Sequence, residues 1–360
     1  MSEMKHERPG VYSVYDASAV VAAGRGNKTV GVAAKALRGT VGEAVVLTGY
    51  AAGVATFGEE TVPGMSAILR LLFANGAATI VAVRVADEGA LSDYEAAFEV
   101  LGKQDVQILV CDSADLTVQQ ALRTAVETAS DQRKERIAVV GGNGDTAAEL
   151  VTRAAGLNSE RMVLVGPDVM DSKGSVMAGV LSDGRDPAIP LNGAEVKGLG
   201  GLTETYSDND IDLLVRGGVT PLESIAGVIS PVRGITTRTT TGGAADATWR
   251  ELTTILIVDD VIPALRNALR SKFARAKNTA RSRSAIRSQV IVELEKKVAA
   301  EIIDSYGEVT VTASAEDPTV CLVEFGFAVA HGLNQIYLTV HITVRNGGNR
   351  NGSERFSYQF

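Results

Sequence analysis

Between Thr29 and Val165 the chain alternates uninterrupted apolar runs with segments of helical spacing, and few folds tolerate that order. The runs Thr29–Ala34, Thr79–Val85, Val106–Cys111, Arg136–Val140 and Arg161–Val165 predict strands. They carry no polar alternation, so both faces of their sheet must be covered, as in a largely parallel sheet. Ser66–Asn75, Ser92–Leu101, Leu116–Ser130 and Asp145–Gly156 predict the covering helices. The fold class expected is α/β, with a Rossmann-like layered core.

Residues 1–28 read as an irregular arm containing the extended stretch Val11 to Tyr15. Residues 167–248 are rich in Gly, Pro, Asp and Thr, so they predict a loop-dominated second half of the core, with one helix at Asp208–Arg216 and a β-like run at Leu222–Ile229. A long helical segment is expected from Val258 to Tyr306, with Pro263 near its start and breaks inside it. In Val320–Val329, Cys321, Val323, Phe325, Phe327 and Val329 share one face; Ile336–Val344 alternates in the same way. His331-Gly332-Leu333-Asn334 would supply the turn between them. Asn346–Ser353 is a polar link ending in a short strand with Phe356, Tyr358 and Phe360 on one side. The domains expected are therefore a 1–28 arm, a 29–248 core, a 249–345 α+β domain and a 346–360 arm.

The composition excludes several functions. No apolar run reaches the roughly 18 residues of a membrane span, and the charged N-terminus does not resemble a secretory signal, so synthesis and retention in the cytoplasm are expected. Two cysteines, Cys111 and Cys321, and three histidines, without CxxC or HxxxH spacing, compose no metal site. A net charge of −8 argues against nucleic-acid binding by the chain as a whole.

One segment suggests chemistry. Gly142-Asn143-Gly144-Asp145-Thr146-Ala147 follows a strand, opens a helix, and has Asp168 after the next strand, as in a dinucleotide fingerprint. It does not open the domain, however, and Asp145 puts negative charge where a phosphate would sit. Capping of the helix by Asp145 accounts for the segment without a ligand. A nucleotide-binding α/β enzyme using the Gly142–Ala147 loop, Gly142, Gly144 and Asp168 among its residues, remains the alternative reading. Asp259-Asp260 is expected to favour a helix macrodipole.

A second segment is charged in an unusual way. Between Asp260 and Glu293 there is no acid, but there are Arg266, Arg270, Lys272, Arg275, Lys277, Arg281, Arg283 and Arg287. Helical spacing would place Arg266, Arg270, Lys277 and Arg281 on one face and Ile262, Leu265, Leu269 and Phe273 on another. A solvated face, a nucleic acid or an acidic protein could each account for this charge.

Several stretches resemble one family. They are Arg8-Pro9-Gly10-Val11-Tyr12, Pro63-Gly64 with Leu69 to Gly76, Val81 to Val85, Gly218 to Leu222, and above all Val232-Arg233-Gly234-Ile235-Thr236-Thr237-Arg238-Thr239. In order and spacing they are similar to the tail sheath proteins of contractile phages and related contractile injection systems such as R-type bacteriocins. The resemblance implies a structural protein and not an enzyme, with no cofactor: a homo-oligomer of hexameric rings stacked into a helical sheath. It would surround an inner tail tube protein and meet baseplate and tail terminator proteins, with no nucleic acid partner and no direct membrane insertion. It would act in a virion tail or phage-tail-like particle assembled in the bacterial cytoplasm, and contract to drive the tube through a target envelope.

Residue roles follow from the same resemblance. Val11, Tyr12, Val14, Phe356, Tyr358 and Phe360 would be inter-subunit arms, and Val323, Phe325, Phe327, Val340 and Ile342 the strand acceptor. Arg266, Arg270, Lys277 and Arg281 would contact an acidic inner tube. An intramolecular hairpin of the C-terminal strand with Ile336–Val344 is the competing possibility.

Overall fold

The computed structural model describes residues 28–59, 64–167, 172–184, 186–334, 337–340 and 356–359. Within them the sheet and its covering helices run β1 (Val30–Ala34), β2 (Ala44–Leu47), α1 (Tyr50–Phe57), α2 (Met65–Ala74), β3 (Ile80–Arg84), α3 (Leu91–Gly102), β4 (Ile108–Cys111), α4 (Leu116–Asp131), β5 (Ile137–Gly141), α5 (Ala147–Leu157), β6 (Met162–Gly166), α6 (Ser172–Leu181), α7 (Asp208–Arg216), β7 (Val219–Ile225) and β8 (Val228–Pro231). A small hairpin, β9 (Thr240–Thr241) and β10 (Ala244–Ala245), leads to the helices α8 (Leu252–Phe273) and α9 (Ala280–Ala299). The last strands are β11 (Ile303–Tyr306), β12 (Thr310–Ala313), β13 (Cys321–Glu324), β14 (Phe327–Val329), β15 (Tyr337–Val340) and β16 (Phe356–Gln359).

The eight-stranded sheet has the order β2-β3-β1-β4-β5-β6-β7-β8. Strands β3 through β7 in that order are parallel, and β2 and β8 close the two edges antiparallel. All five predicted strands are in place, and β1, β4, β5 and β6 are buried at every residue, as continuous apolar runs require. One face packs on α1, α2, α6 and the start of α8; the other packs on α3, α4, α5 and α7. This is the doubly wound α/β layering that the alternation implied.

The loop-rich reading of 167–248 needs correction at α6. Its Val176, Met177 and Ala178 are fully buried between α2 and the sheet. Gly174 lies so close to β5 that a Cβ would sit 3.1 Å from the Val139 carbonyl oxygen, and a Cβ on Gly179 would sit 2.7 Å from Asn75 Cβ. The glycines that read as loop punctuation are what lets this helix approach its neighbours.

The predicted 258–306 helix is two helices and a strand. α8 begins earlier, at Leu252, and contains Pro263; residues 274–279 break the chain, and Thr279 caps α9 by accepting the Ser282 N–H. β11 ends the segment, its Ile303 buried. A separate core of Ile257, Val261, Leu265, Val290, Leu294, Ile303 and Val309 binds α8, α9 and the first of these strands together.

β11–β12 and β13–β14 form one interrupted antiparallel hairpin, from Ile303 opposite Val329 to Ala313 opposite Cys321. The face assignment in Val320–Val329 agrees with the structure: Cys321, Val323, Phe325, Phe327 and Val329 are half-buried, and Leu322, Glu324, Gly326 and Ala328 between them are exposed. Among the described residues, Val320–Val329 does not pair with the Ile336–Val344 run as expected. Gly332 is laid against Pro190, where a Cβ would come within 2.8 Å of the ring, and Asn192 Nδ2 donates to Asn334 Oδ1 at 2.8 Å. Docked on the core in this way, residues 331–334 are a strap and not a turn. β15 pairs instead with β16, Leu338 opposite Tyr358 and Val340 opposite Phe356.

Candidate assembly surfaces

The motif Val232–Thr239 ties the sheet to the C-terminal domain. Thr220 Oγ1 donates to the Ile235 carbonyl and accepts the Ile235 N–H, both at 2.9 Å. Thr237 Oγ1 donates to the Ser159 carbonyl and accepts the Ser159 N–H, both at 3.0 Å. Thr236 Oγ1 donates to the Trp249 carbonyl at 2.7 Å. All three threonines are fully buried, so their hydroxyls satisfy main-chain groups that would otherwise lack partners. Arg233 pairs with Glu251 and Arg238 with Glu160, which fixes both ends of the motif.

Charge pairs hold α8 on the core. Arg161 makes a forked contact to Asp259, 2.8 and 3.1 Å, with both side chains nearly buried. Burial pushes the Asp259 carboxyl above the usual range, and the Arg161 guanidinium offsets part of that rise. Asp260 takes Lys297 of α9. The two acids therefore sit well inside α8 as pairing groups, not at a helix start serving the macrodipole, because the helix begins at Leu252.

Arg266 needs a similar correction. Its guanidinium lies 2.6 and 3.3 Å from the Glu135 carboxylate, facing the core instead of outward. The four cations proposed for one face are also divided: Arg266 and Arg270 lie on α8, Lys277 in the break and Arg281 in the first turn of α9. The break, not helical periodicity, sets where they point. Lys272 donates to Gln289 Oε1, Arg283 to Asn278 Oδ1 and Arg287 to the Val309 carbonyl. Arg270, Arg275, Lys277 and Arg281 are exposed, without an ion-pair partner among the described residues. The α8–α9 elbow thus presents four cations and no acid of its own.

The acceptor residues divide as well. Val323, Phe325 and Phe327 belong to the long hairpin and lean on the α8–α9 core, with the Phe325 and Phe327 rings stacked at 6.4 Å. Val340 is in the separate β15–β16 ladder, so the two predicted halves of the acceptor are not one sheet. Among the described residues neither outer edge of the long hairpin carries a further strand. Val11, Tyr12, Val14, Ile342 and Phe360 lie outside the described residues; Phe356 and Tyr358 are in β16, paired with the chain's own β15.

The fingerprint loop is occupied by the chain itself. Asp145 Oδ2 accepts the Asn143 N–H at 3.0 Å and Arg153 Nε at 2.7 Å, filling the place of an anion. A Cβ on Gly142 would meet that same oxygen at 2.9 Å. The helix cap is Thr146, not Asp145: its hydroxyl accepts the Glu149 N–H while the Glu149 carboxylate accepts the Thr146 N–H. Asp168 lies outside the described residues. At the β1/β4 switch point, where doubly wound sheets bind ligands, Asp112 accepts the Tyr94 hydroxyl at 2.6 Å and the Lys35 N–H at 2.9 Å. Burial raises the Asp112 carboxyl and the Tyr94 phenol, and pushes the neighbouring Cys111 thiol up to about 12. Thr146→Ala should cost about 1 kcal/mol in a urea titration, the usual loss of a cap, and calorimetry with NAD or ATP should show no saturable heat. Saturable binding lost on Gly144→Val would restore the nucleotide reading.

Comparison with known proteins places this architecture. The fold is that of sheath proteins: the structure matches the sheath tail protein of Desulfitobacterium hafniense with a TM-score of 0.67 at 10% identity, over 89% of this chain and 100% of that one. It also matches the contracted helical sheath of the anti-feeding prophage with a TM-score of 0.67 at 17% identity, over 96% and 100%. Residues 244–343 match the family model described as the phage tail sheath C-terminal domain. The tail sheath protein of Bacillus phage SP01 is 26% identical over 273 residues, 71% of this chain and 46% of that protein. The matched region thus spans about half the length of that relative. In fold and in its C-terminal domain, the chain is similar to the tail sheath proteins of contractile phage tails and related contractile injection systems.

Proposed function

We propose that this chain is a structural sheath subunit that polymerises as stacked hexameric rings around an inner tube and contracts to drive that tube through a target envelope. The observation that carries the reading is the C-terminal domain over 244–343, which matches the sheath domain and, among the described residues, combines a hairpin whose outer edges carry no further strand with an elbow of cations that have no ion-pair partner. Free strand edges accept strands from neighbours, main-chain hydrogen bonds giving affinity and alternate side chains fixing register. Exposed Arg270, Lys277 and Arg281 suit an acidic tube, each contact individually weak and therefore releasable during a stroke. Arg275 joins them, and Arg266 leaves the set because Glu135 already holds it.

The arm role takes the form of strand exchange. In the single chain β16 closes on β15, and the link 341–355 between them is long enough for β16 to pair with another subunit instead. Contraction is then a rearrangement of rigid subunits joined by strands, powered by a strained assembly and not by a bound nucleotide. Baseplate and terminator proteins would cap the polymer in a virion tail or phage-tail-like particle assembled in the bacterial cytoplasm.

Negative-stain microscopy of the purified chain tests the first part: rings or tubes are expected, and a monodisperse monomer at all concentrations would reject it. Reversing Arg270, Lys277 and Arg281 to Glu should abolish salt-sensitive capture of an acidic tube protein without changing the melting temperature. Equal capture by this variant would remove the tube from the elbow.

A further inference from the structure

The α8–α9 elbow holds a cavity as well as charge. About 440 Å³ of space opens between the end of α8, the first turns of α9 and the β12–β13 loop. Phe273, Ile286 and Cys321, each half-buried, give it apolar walls, and the exposed Lys277 stands on its lining. The walls are tied to one another. Asn278 Nδ2 donates to the carbonyls of Pro318 at 2.9 Å and Val320 at 3.1 Å, and Arg283 donates to Asn278 Oδ1 at 2.9 Å. These bonds fix the loop on the elbow in the single chain, so an occupant would enter a preformed site without ordering it first.

We propose that this cavity receives one large apolar side chain from an acidic segment of the partner, while Arg270, Arg275, Lys277 and Arg281 hold the acids on either side of it. The proposal rests on the elbow being the tube-facing surface, and it states what the partner presents there: an aromatic or large aliphatic residue flanked by Asp or Glu. Charge sets the flanks. Lys277 lines the cavity, Arg275 and Arg281 adjoin the lining residues Ala276 and Ser282, and these cations have no ion-pair partner among the described residues. No acid lines the cavity; Asp317 of the loop accepts the N–H and the hydroxyl of its own Thr319, at 2.7 and 2.6 Å. The apolar walls set the centre. Exposed ion pairs contribute little each, and flexible Lys and Arg side chains in water define no single position for a partner. They steer the encounter, whereas an anchor side chain in a preformed pocket supplies affinity and register together.

The test uses the full chain and two fluorescent synthetic peptides: acidic residues around a central phenylalanine, and the same peptide with alanine in its place. At low salt the phenylalanine peptide should bind tighter by on the order of tenfold or more, the ratio that burial of one such side chain corresponds to. Ala276→Trp, at an exposed position on the cavity wall, should bring the two affinities together without changing the melting temperature. Cys321 gives a second readout in the parent chain, with the buried Cys111 as the unreactive reference. Its alkylation by N-ethylmaleimide, followed by mass spectrometry, should be slowed by saturating phenylalanine peptide and not by its alanine counterpart. Equal affinity for the two peptides, with Cys321 equally reactive in both, would overturn the anchor and leave the cationic elbow standing. A phenylalanine preference that survives Ala276→Trp would place the apolar contact elsewhere and also overturn the proposal. Binding of neither peptide at low salt would overturn the elbow reading and the anchor with it.

Discussion

Arg161→Ala is expected to destabilise the protein by about 3–5 kcal/mol at pH 8, because it leaves the Asp259 carboxylate buried without its counter-charge. The loss should shrink as the pH is lowered. Burial already raises the Asp259 carboxyl, and removing the guanidinium that offsets this raises it further. The unfolded value stays near 3.9, as for any exposed Asp. Between the two values the folded state keeps a proton that the unfolded state has released, so the stability gained by protonation is full below the unfolded value and lost as pH rises through the folded one. Lys28 and Glu135, the other charges that act on Asp259, remain in the variant and set the same background. Asp259→Ala gives the contrast, since it strands a guanidinium that cannot deprotonate, and its loss should not recover at acid pH. Urea midpoints at pH 5 and pH 8, each referred to the parent at the same pH, decide the matter. A loss under 1 kcal/mol, or one of equal size at both pH values, would show that the pair does not hold α8 to the core.

Deleting residues 346–360 should abolish assembly while leaving the fold intact. Among the described residues the three apolar cores are built from positions upstream of 330, so the melting temperature should hardly change. What disappears is β16, the strand paired with Tyr337–Val340 in the single chain and offered to a neighbour under the exchange proposal. Because each subunit would both donate and accept a strand, the effect multiplies along the polymer and the expected outcome is no tubes at all. Tubes of normal abundance from the truncated chain would end the exchange proposal while leaving the sheath fold untouched.

The core was legible because its signals are local. β1, β3, β4, β5 and β6 each carry a continuous apolar run, and α2 to α5 lie between them at helical spacing, so neighbouring residues alone define the elements. The α6 helix was not legible: its glycines read as loop until the proximity of Val139 and Asn75 shows that a side chain would not fit. β2 and α1 were missed for a related reason, since an edge strand half exposed beside a short helix lacks a pronounced period.

The assembly surfaces divide in the same way. From sequence alone came the local facts: an alternating face through Val323, Phe325 and Phe327, a cationic stretch free of acid, and an Asp in a would-be phosphate loop. Only the tertiary structure could show that Glu135, remote in sequence, claims Arg266, that Asp259 and Asp260 serve Arg161 and Lys297, and that residues 331–334 strap onto Pro190 and Asn192 instead of turning. Periodicity reports which side of an element is apolar, because that depends on residues three or four apart. Which charge stays unpartnered, and which strand finds which edge, depends on groups brought together from distant parts of the chain, and no local pattern records those meetings.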